Sequence, residues 1–400
     1  MSFEYRPFDE KRDVDVFSTA IAEAFAADAK RVPEWIKMAH PKNLRIAELD
    51  GEVAGTCLYA PMGQFFGGRT LSMLGVAGVS VRPEFRGCGV GKRMMSAAVL
   101  EMAAMGSPLS TLYPSTMPLY QMVGYEMAGY QPEFDFSFDH LPVTRLSAMK
   151  NAGLQVTPGG EADHEEIKQL YSQVARTQNG MLDRDVYIWQ RIFKPRDQVG
   201  RIYCVREIQS RKLRGYVILT QTNEPDLPDW HQLNLICMQA ADVDAWQALF
   251  AFLRSYQSMA RRVKVNVGAN HPLYLAMPEQ RSNMKMFECW MMRILNVPAA
   301  LEGRGYPLGM SAELHLDIAD DLITANHGKW ILQLNNGQAK VSAGGNGDLK
   351  ISVRNLAPLF SGHVNAELLA QSGRLQAEPA IQAVASSIFA GSAPWMQDMF

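Results

Sequence analysis

The feature that most restricts this chain is the run V-S-V-R-P-E-F-R-G-C-G-V-G-K, from Val79 to Lys92. A strand-like segment leads in, and glycines alternate at 87, 89 and 91. Helical spacing follows, with Met94, Ala98, Met102 and Met105 on one stripe. Alternating glycines let the backbone approach a ligand closely and take positive φ. Their N–H groups can converge on a phosphate, and the helix start adds its positive end. Arg86, Lys92 and Arg93 add formal positive charge. Spacing excludes two other nucleotide loops. A Walker loop needs glycine at 86 and Ser or Thr at 93, where arginines stand. A Rossmann G-x-G-x-x-G starting at Gly87 needs glycine at 92 and meets Lys92. An isolated G-x-G-x-G is also found as a plain glycine-rich surface turn, so the wider chain has to decide.

A length of 400 residues exceeds one ordinary core and predicts two or three domains. Apolar residues at 47% and charged residues at 20% are the balance of a soluble globular protein. A formal charge of −2 argues against a nucleic-acid partner. The five cysteines are scattered without a CxxC pair, and the histidines form no HxxxH or HExxH group. Neither a disulfide framework nor a metal site is expected. The charged start MSFEYRPFDEKRD is not a signal peptide, and no apolar run reaches the ~18 residues of a membrane span. The default location is cytoplasmic.

The first 140 residues alternate helix and strand signals. DVDVFSTAIAEAFAADA has helical spacing, and NLRIAELDGEVAGTCLYAPM reads as two strands turned at Asp50-Gly51. MLGVAGVSV is apolar on both faces, as a central strand is. SPLSTLYPS and YEMAGYQPEFDFSF add further strands. From about 145 to 290 a second α/β unit follows, with strands GYVILT, LNLICMQA and VKVNVG and the helix VDAWQALFAFLRSYQSMA, but no comparable glycine cluster. The last 110 residues place strands first (ELHLDI, WILQLNNGQAKVSA, LKISV) and glycine-ended helices after, an α+β module.

V-x-V-x-P-E-x-R-G-x-G-V-G-K resembles the acetyl-CoA signature of the GNAT superfamily of N-acetyltransferases. The resemblance implies that Val79, Ser80 and Val81 line the pantetheine arm, and that Gly87, Cys88, Gly89, Val90, Gly91 and Lys92 hold the pyrophosphate. Leu119 to Tyr125, L-Y-Q-M-V-G-Y, resembles the family's Y-x-x-x-G-[FY] element, which makes Tyr120 the candidate general acid. Ser115 and Thr116 precede it at a helix start, within reach of CoA. The whole layout, with Arg293 to Tyr306 (R-I-L-N-V-P-A-A-L-E-G-R-G-Y) and a final phenylalanine, resembles the Eis family. That implies α/β and α+β architecture: a GNAT domain over 1–145, a degenerate GNAT-like domain over 146–290, both with mixed sheets flanked by helices, and a sterol-carrier-like α+β domain over 291–400. It also implies a homo-hexamer.

Acetyl transfer to an amine needs a proton taken from the ammonium and one given to the departing thiolate. A phenol is protonated at neutral pH, which suits Tyr120. The Eis resemblance points to the terminal carboxylate of Phe400 as the base, made more basic by burial. The ending A-P-W-M-Q-D-M-F is apolar enough to dock. Eis-like enzymes accept cationic amines, namely aminoglycosides, polyamines and lysine side chains. Asp28, Glu34, Trp35 and Asp398 are the candidate wall for such a substrate. The competing reading is a non-catalytic acyl-CoA or lipid-binding protein built around the sterol-carrier-like module.

Overall fold

The D-G pair turns the chain as its chemistry dictates. Asp50 and Gly51 have φ of 51° and 83°, the left-handed pair that a two-residue hairpin requires. The computed structural model describes residues 2–400 apart from 143–148, 151, 196–197, 225–226 and 278–281. The expected boundary at 145/146 lies outside the described residues. In chain order the elements begin with β1 (Phe3–Pro7), α1 (Val14–Phe25), α2 (Val32–Ala39), β2 (Leu44–Leu49), β3 (Glu52–Phe66), β4 (Arg69–Val81), α3 (Val90–Ala104), β5 (Leu109–Leu112), α4 (Met117–Gln121) and β6 (Glu126–Ser137). They continue with β7 (Leu154–Pro158), α5 (His164–Ala175), β8 (Leu182–Asp183), α6 (Val186–Phe193), β9 (Arg201–Glu207), β10 (Leu213–Glu224), β11 (Leu227–Ala240), α7 (Val243–Arg254), β12 (Ala260–Asn266), α8 (Pro272–Ala276) and β13 (Asn283–Ile294). The last module has α9 (Val297–Gly303), β14 (Ala312–Ala319), β15 (Gly328–Asn335), β16 (Gln338–Ala343), β17 (Leu349–Ser352), α10 (Val353–Ser361), α11 (Ala366–Gln371), β18 (Leu375–Gln376) and α12 (Pro379–Ile388).

Three domains are expected, and the chain divides into two compact units. The first holds residues 1–129, 289–391 and 399–400, so the C-terminal module is packed with the N-terminal α/β layer. Glu126, buried at the start of β6, accepts from Arg354 Nε at 2.7 Å and from Arg374 Nη1 at 3.2 Å. Phe66 meets Phe360 edge-on at 5.3 Å. Gly67 and Gly305 touch backbone to backbone, and a Cβ on Gly305 would lie 1.9 Å from the Gly67 carbonyl oxygen. The second unit holds residues 130–288 and 392–398.

Within the first unit, β1, β2, β3 and β4 pair antiparallel in that order, β5 joins β4 in parallel, and the end of β13 pairs antiparallel with β5. The second unit repeats the plan with β7, β9, β10 and β11 antiparallel, β12 parallel to β11, and the end of β6 antiparallel to β12. The outermost strand of each plan is thus supplied from a distant stretch of sequence. The C-terminal module forms a separate sheet in the order β16–β15–β14–β17–β18.

Two arginines of the 293–306 segment are fully buried pins. Arg293 Nη2 reaches both Asp320 oxygens at 2.7 and 2.8 Å. Among the described residues, no carboxylate hydrogen-bonds Arg304. Its guanidinium donates to the carbonyls of Phe360, Gly305 and Phe389 at 2.7–3.0 Å, near the C-terminal ends of α10 and α12. The Phe360 and Phe389 carbonyls, at those helix ends, lack partners within their helices and carry partial negative charge, which suits a cation. Burial nevertheless lowers the Arg304 pKa to about 10.

The cores also hold tyrosines whose phenols burial keeps neutral. Tyr5, Tyr59, Tyr125, Tyr171, Tyr216 and Tyr306 all have raised pKa values, with desolvation the largest cause. A raised folded-state pKa means that the unfolded chain loses these protons first, from about pH 10. Their contribution is therefore intact below about pH 10 and is lost as pH rises beyond it. A melting temperature followed by circular dichroism should be insensitive to these groups up to about pH 10 and fall steeply above. A melting temperature unchanged up to about pH 12 would contradict their neutral burial.

Candidate active site

β4 and β5 pair only from Met73/Leu109 to Val76/Leu112. β4 then runs on to Val81, while β5 has ended. The two strands part here, and Ala77, Gly78 and Val79 become partly exposed after four buried residues. On its other edge β4 bulges against β3. Thr56 pairs Ser80 and Leu58 pairs Ala77, so Gly78 and Val79 together face Cys57. Gly78 has φ of 56°, a value glycine takes without strain. The bulge is fixed by Thr56, whose hydroxyl donates to Gly78 O at 2.8 Å and lies 2.7 Å from Ser80 Oγ. The Ser80 side chain is therefore committed to β3, and only its backbone remains for a ligand. The Val81 carbonyl accepts from Arg86 Nε at 3.1 Å, which ties the loop arginine back to the strand.

Gly87 and Gly89 have φ of 78° and 75°, and nothing lies within 4 Å of where a Cβ would stand on either. The loop is a backbone concavity that any side chain would both strain and fill. Gly89 is the N-cap of α3, and no side chain caps that helix. Its first N–H groups lack intrahelical acceptors and carry the positive end of the helix. This geometry suits the pyrophosphate of CoA. Cys88 and Lys92 are exposed beside it, and Arg93 is held over the Phe3 ring at 4.3 Å.

Tyr120 is 4% exposed, in the same core as Cys57, Val79, Val81 and Leu119. Pro118 in the first turn and Thr116 at the cap start the short helix that carries it. Its ring meets Tyr125 edge-on at 6.1 Å, and Tyr125 Oη is held by Ser110 at 2.7 Å. Burial first, and the nearby Cys57 thiol second, push the Tyr120 pKa up to about 12, against a hydrogen bond from Ser115 that lowers it. Ser115 therefore bears on the tyrosine, a role its place in the sequence did not reveal. Cys57, itself fully buried, has its thiol pushed up to about 12 and stays neutral.

Two aromatic rings rest on glycines of β4. A Cβ on Gly75 would lie 2.7 Å from Phe400 Cε2, and Phe400 also meets Tyr113 edge-on at 5.8 Å. A Cβ on Gly78 would lie 3.0 Å from the Trp35 indole, which stacks on Phe17 at 6.1 Å. Phe400 and Trp35 thus both border the part of β4 that carries the opening. Gly75, Gly78 and Tyr113, beside these rings, are not among the candidates that the sequence suggested. Glycine inside a strand marks close approach, and that signal was present at 75 and 78.

The remaining wall candidates fare differently. Glu34 is exposed in the first turn of α2. Asp28 is exposed and caps a turn by accepting from Lys30 N at 3.0 Å, with Lys30 and Arg31 adding positive charge beside it. Asp398 is corrected. It is 4% exposed, and its two oxygens pair with Arg184 Nε and Nη2 at 2.8 Å each. A carboxylate neutralised in a buried fork of this kind does not face a solvent-borne ammonium.

Known proteins match this chain along its length. Residues 4–128 and 180–294 each match a model described as an acetyltransferase (GNAT) domain, and residues 297–397 match one described as a sterol carrier protein domain. An uncharacterized N-acetyltransferase of Streptomyces griseus is 26% identical over 354 residues, covering 84% of this chain and 83% of that protein. A solved GCN5-related N-acetyltransferase from Anabaena variabilis is 32% identical over all of both chains, with a TM-score of 0.94. Eis1 from Mycobacterium abscessus covers both chains fully at 17% identity and a TM-score of 0.81, a likeness of fold alone. With the opened strands, the uncapped glycine loop and these matches together, the chain belongs to the GCN5-related N-acetyltransferases, as two GNAT domains followed by a sterol-carrier-type domain.

Proposed function

We propose that this protein transfers the acetyl group of acetyl-CoA directly to a primary amine of a small cationic acceptor or a lysine side chain, at the β4–β5 opening. The single observation that carries the reading is this opening beside an uncapped glycine loop, with Tyr120 in the core beneath it. Acetyl-CoA supplies the acetyl group as a thioester. The backbone of Val79, Ser80 and Val81 lies along the pantetheine arm. The backbone of Gly87, Cys88, Gly89, Val90 and Gly91 with Lys92 takes the pyrophosphate, and Thr116 stands exposed at the start of α4. A backbone N–H of β4 stabilises the charge that develops on the thioester oxygen.

Tyr120 holds the proton for the departing sulfur. With its pKa pushed up to about 12, the phenol stays protonated across the whole neutral and mildly alkaline range. The Phe400 terminal carboxylate is the base that takes the ammonium proton, directly or through water. What supports it is the seat of the Phe400 ring against Gly75 and Tyr113. Trp35 offers an aromatic face to the cationic acceptor, and exposed Glu34 and Asp28 add charge at the rim.

Mass spectrometry of polyamines, aminoglycosides and lysine peptides incubated with protein and acetyl-CoA identifies the acceptor. Acetylation of at least one amine is expected, and none across the panel would overturn the reading in favour of CoA or lipid binding. Converting the terminal carboxylate to a carboxamide by ligation keeps the ring and removes the base. It should lower kcat by about 10²–10⁴-fold with CoA affinity unchanged. An unchanged kcat would remove Phe400 from the chemistry.

A further inference from the structure

The second unit repeats the opening but not the loop. β11 and β12 pair from His231/Ala260 to Leu235/Val265, and β11 then continues to Ala240 paired with β10 but not with β12. An extra residue, Ile236, interrupts its register with β10 at the matching place. No glycine follows. Asp242 caps α7 by accepting from Ala245 N at 3.0 Å and pairs with Arg214. A carboxylate at this helix start repels phosphate, so the opening is not built for a nucleotide.

Residues 392–398 lie there instead. Tyr130 N donates to Pro394 O at 3.3 Å and Met396 N donates to Tyr130 O at 3.1 Å, adding a short parallel bridge to β6. Trp395 N donates to Asn179 O at 3.1 Å, and Asn179 N donates to Ser392 Oγ at 2.8 Å. Just past the end of β12, a Cβ on Gly268 would lie 2.4 Å from the Trp395 indole. On β11 beyond its last β12 partner, the Cys237 thiol reaches Gln397 Oε1 at 3.5 Å. Arg184 Nη2 reaches the same oxygen at 3.2 Å, and Gln131 Nε2 donates to Gln397 O at 2.8 Å. Arg184 closes the site on Asp398, stacked 3.7 Å from the Tyr171 ring centroid and 4.8 Å from that of Trp189.

We infer that the β11–β12 opening of the second GNAT unit is a peptide-binding seat whose resident ligand is the chain's own W-M-Q-D segment, Trp395 to Asp398. Backbone pairing gives the segment its register, the glycine at 268 admits the indole, and the buried guanidinium selects an acid at the last position. The seat is read from unit 2 alone and does not depend on the acetyl-transfer reading.

The test uses the full chain with a protease site inserted between Ala390 and Gly391, both exposed, and cut after folding. The nicked tail should stay bound through gel filtration, and a fluorescent synthetic peptide of residues 392–400 should exchange into the seat. In nicked Asp398→Ala the tail should be shed, with circular dichroism of the remainder retained. If Asp398→Ala fails to fold, nicked Gln397→Ala should release the tail about tenfold faster than the parent, the loss of one hydrogen bond to a charged group. Immediate loss of the parent tail from a folded remainder, or equal release rates for the parent and whichever of these variants folds, would overturn the inference.

Discussion

Tyr120→Phe will lower kcat by about 10²–10⁴-fold, the range of one positioned acid. Affinity for CoA should stay within about twofold, because the substitution leaves every backbone group of the loop and of β4 in place. The packing around Tyr120 makes this substitution a clean test. The phenol is 4% exposed and its ring is held against Tyr125, so phenylalanine fills the same volume. Only the proton and the bond to Ser115 are lost. The same residue constrains the pH profile. A phenol titrating at about 12 cannot set an alkaline limb near neutrality, so any limb below about pH 10 belongs to another group. Steady-state kinetics from acid to mildly alkaline pH, on both forms, check both statements.

Asp398→Ala should cost about 3–5 kcal/mol of stability, the range for breaking a fully buried ion pair. The reason is what remains behind. Arg184 is fully buried, burial itself opposes its charge, and Asp398 is the first of the partners that hold its pKa above the ordinary value. Removing the acid leaves a buried cation between two rings with, among the described residues, Gln397 and the Cys237 thiol to receive its hydrogens. The paired change Arg184→Met with Asp398→Leu should recover most of the loss, since an apolar pair of similar volume needs no compensation. Urea unfolding followed by circular dichroism and tryptophan fluorescence measures both. If Asp398→Ala and the double variant unfold at the same urea concentration as the parent, the pair is not a structural anchor.

Local chemistry made much of this legible from the sequence. The glycine spacing at 87, 89 and 91 is a backbone property, and it survives folding as two left-handed residues and an uncapped helix. The Asp50-Gly51 and Asn336-Gly337 turns are equally local, and both pairs take positive φ. The apolar tail signalled docking, and Trp395 and Met396 are buried. What stayed hidden depends on pairings across hundreds of residues. Asp398 looked like a substrate carboxylate because Arg184, its partner, is 214 positions away. β6 read as an ordinary strand and β13 gave no strand signal, and nothing local says that each completes a sheet plan begun elsewhere. The C-terminal module reads as a third domain, and its packing with the first rests on contacts such as Glu126–Arg354, which no periodicity encodes.

The most direct measurement is release of the CoA thiol from acetyl-CoA by the full chain, with and without the amine panel, beside calorimetric binding of CoA. Amine-dependent release is predicted for the parent, with a fall of about 10²-fold or more in Tyr120→Phe at unchanged CoA affinity. CoA bound tightly by both forms, with no release on any amine or with equal release from the two, would contradict acetyl transfer at the β4–β5 opening with Tyr120 as its acid.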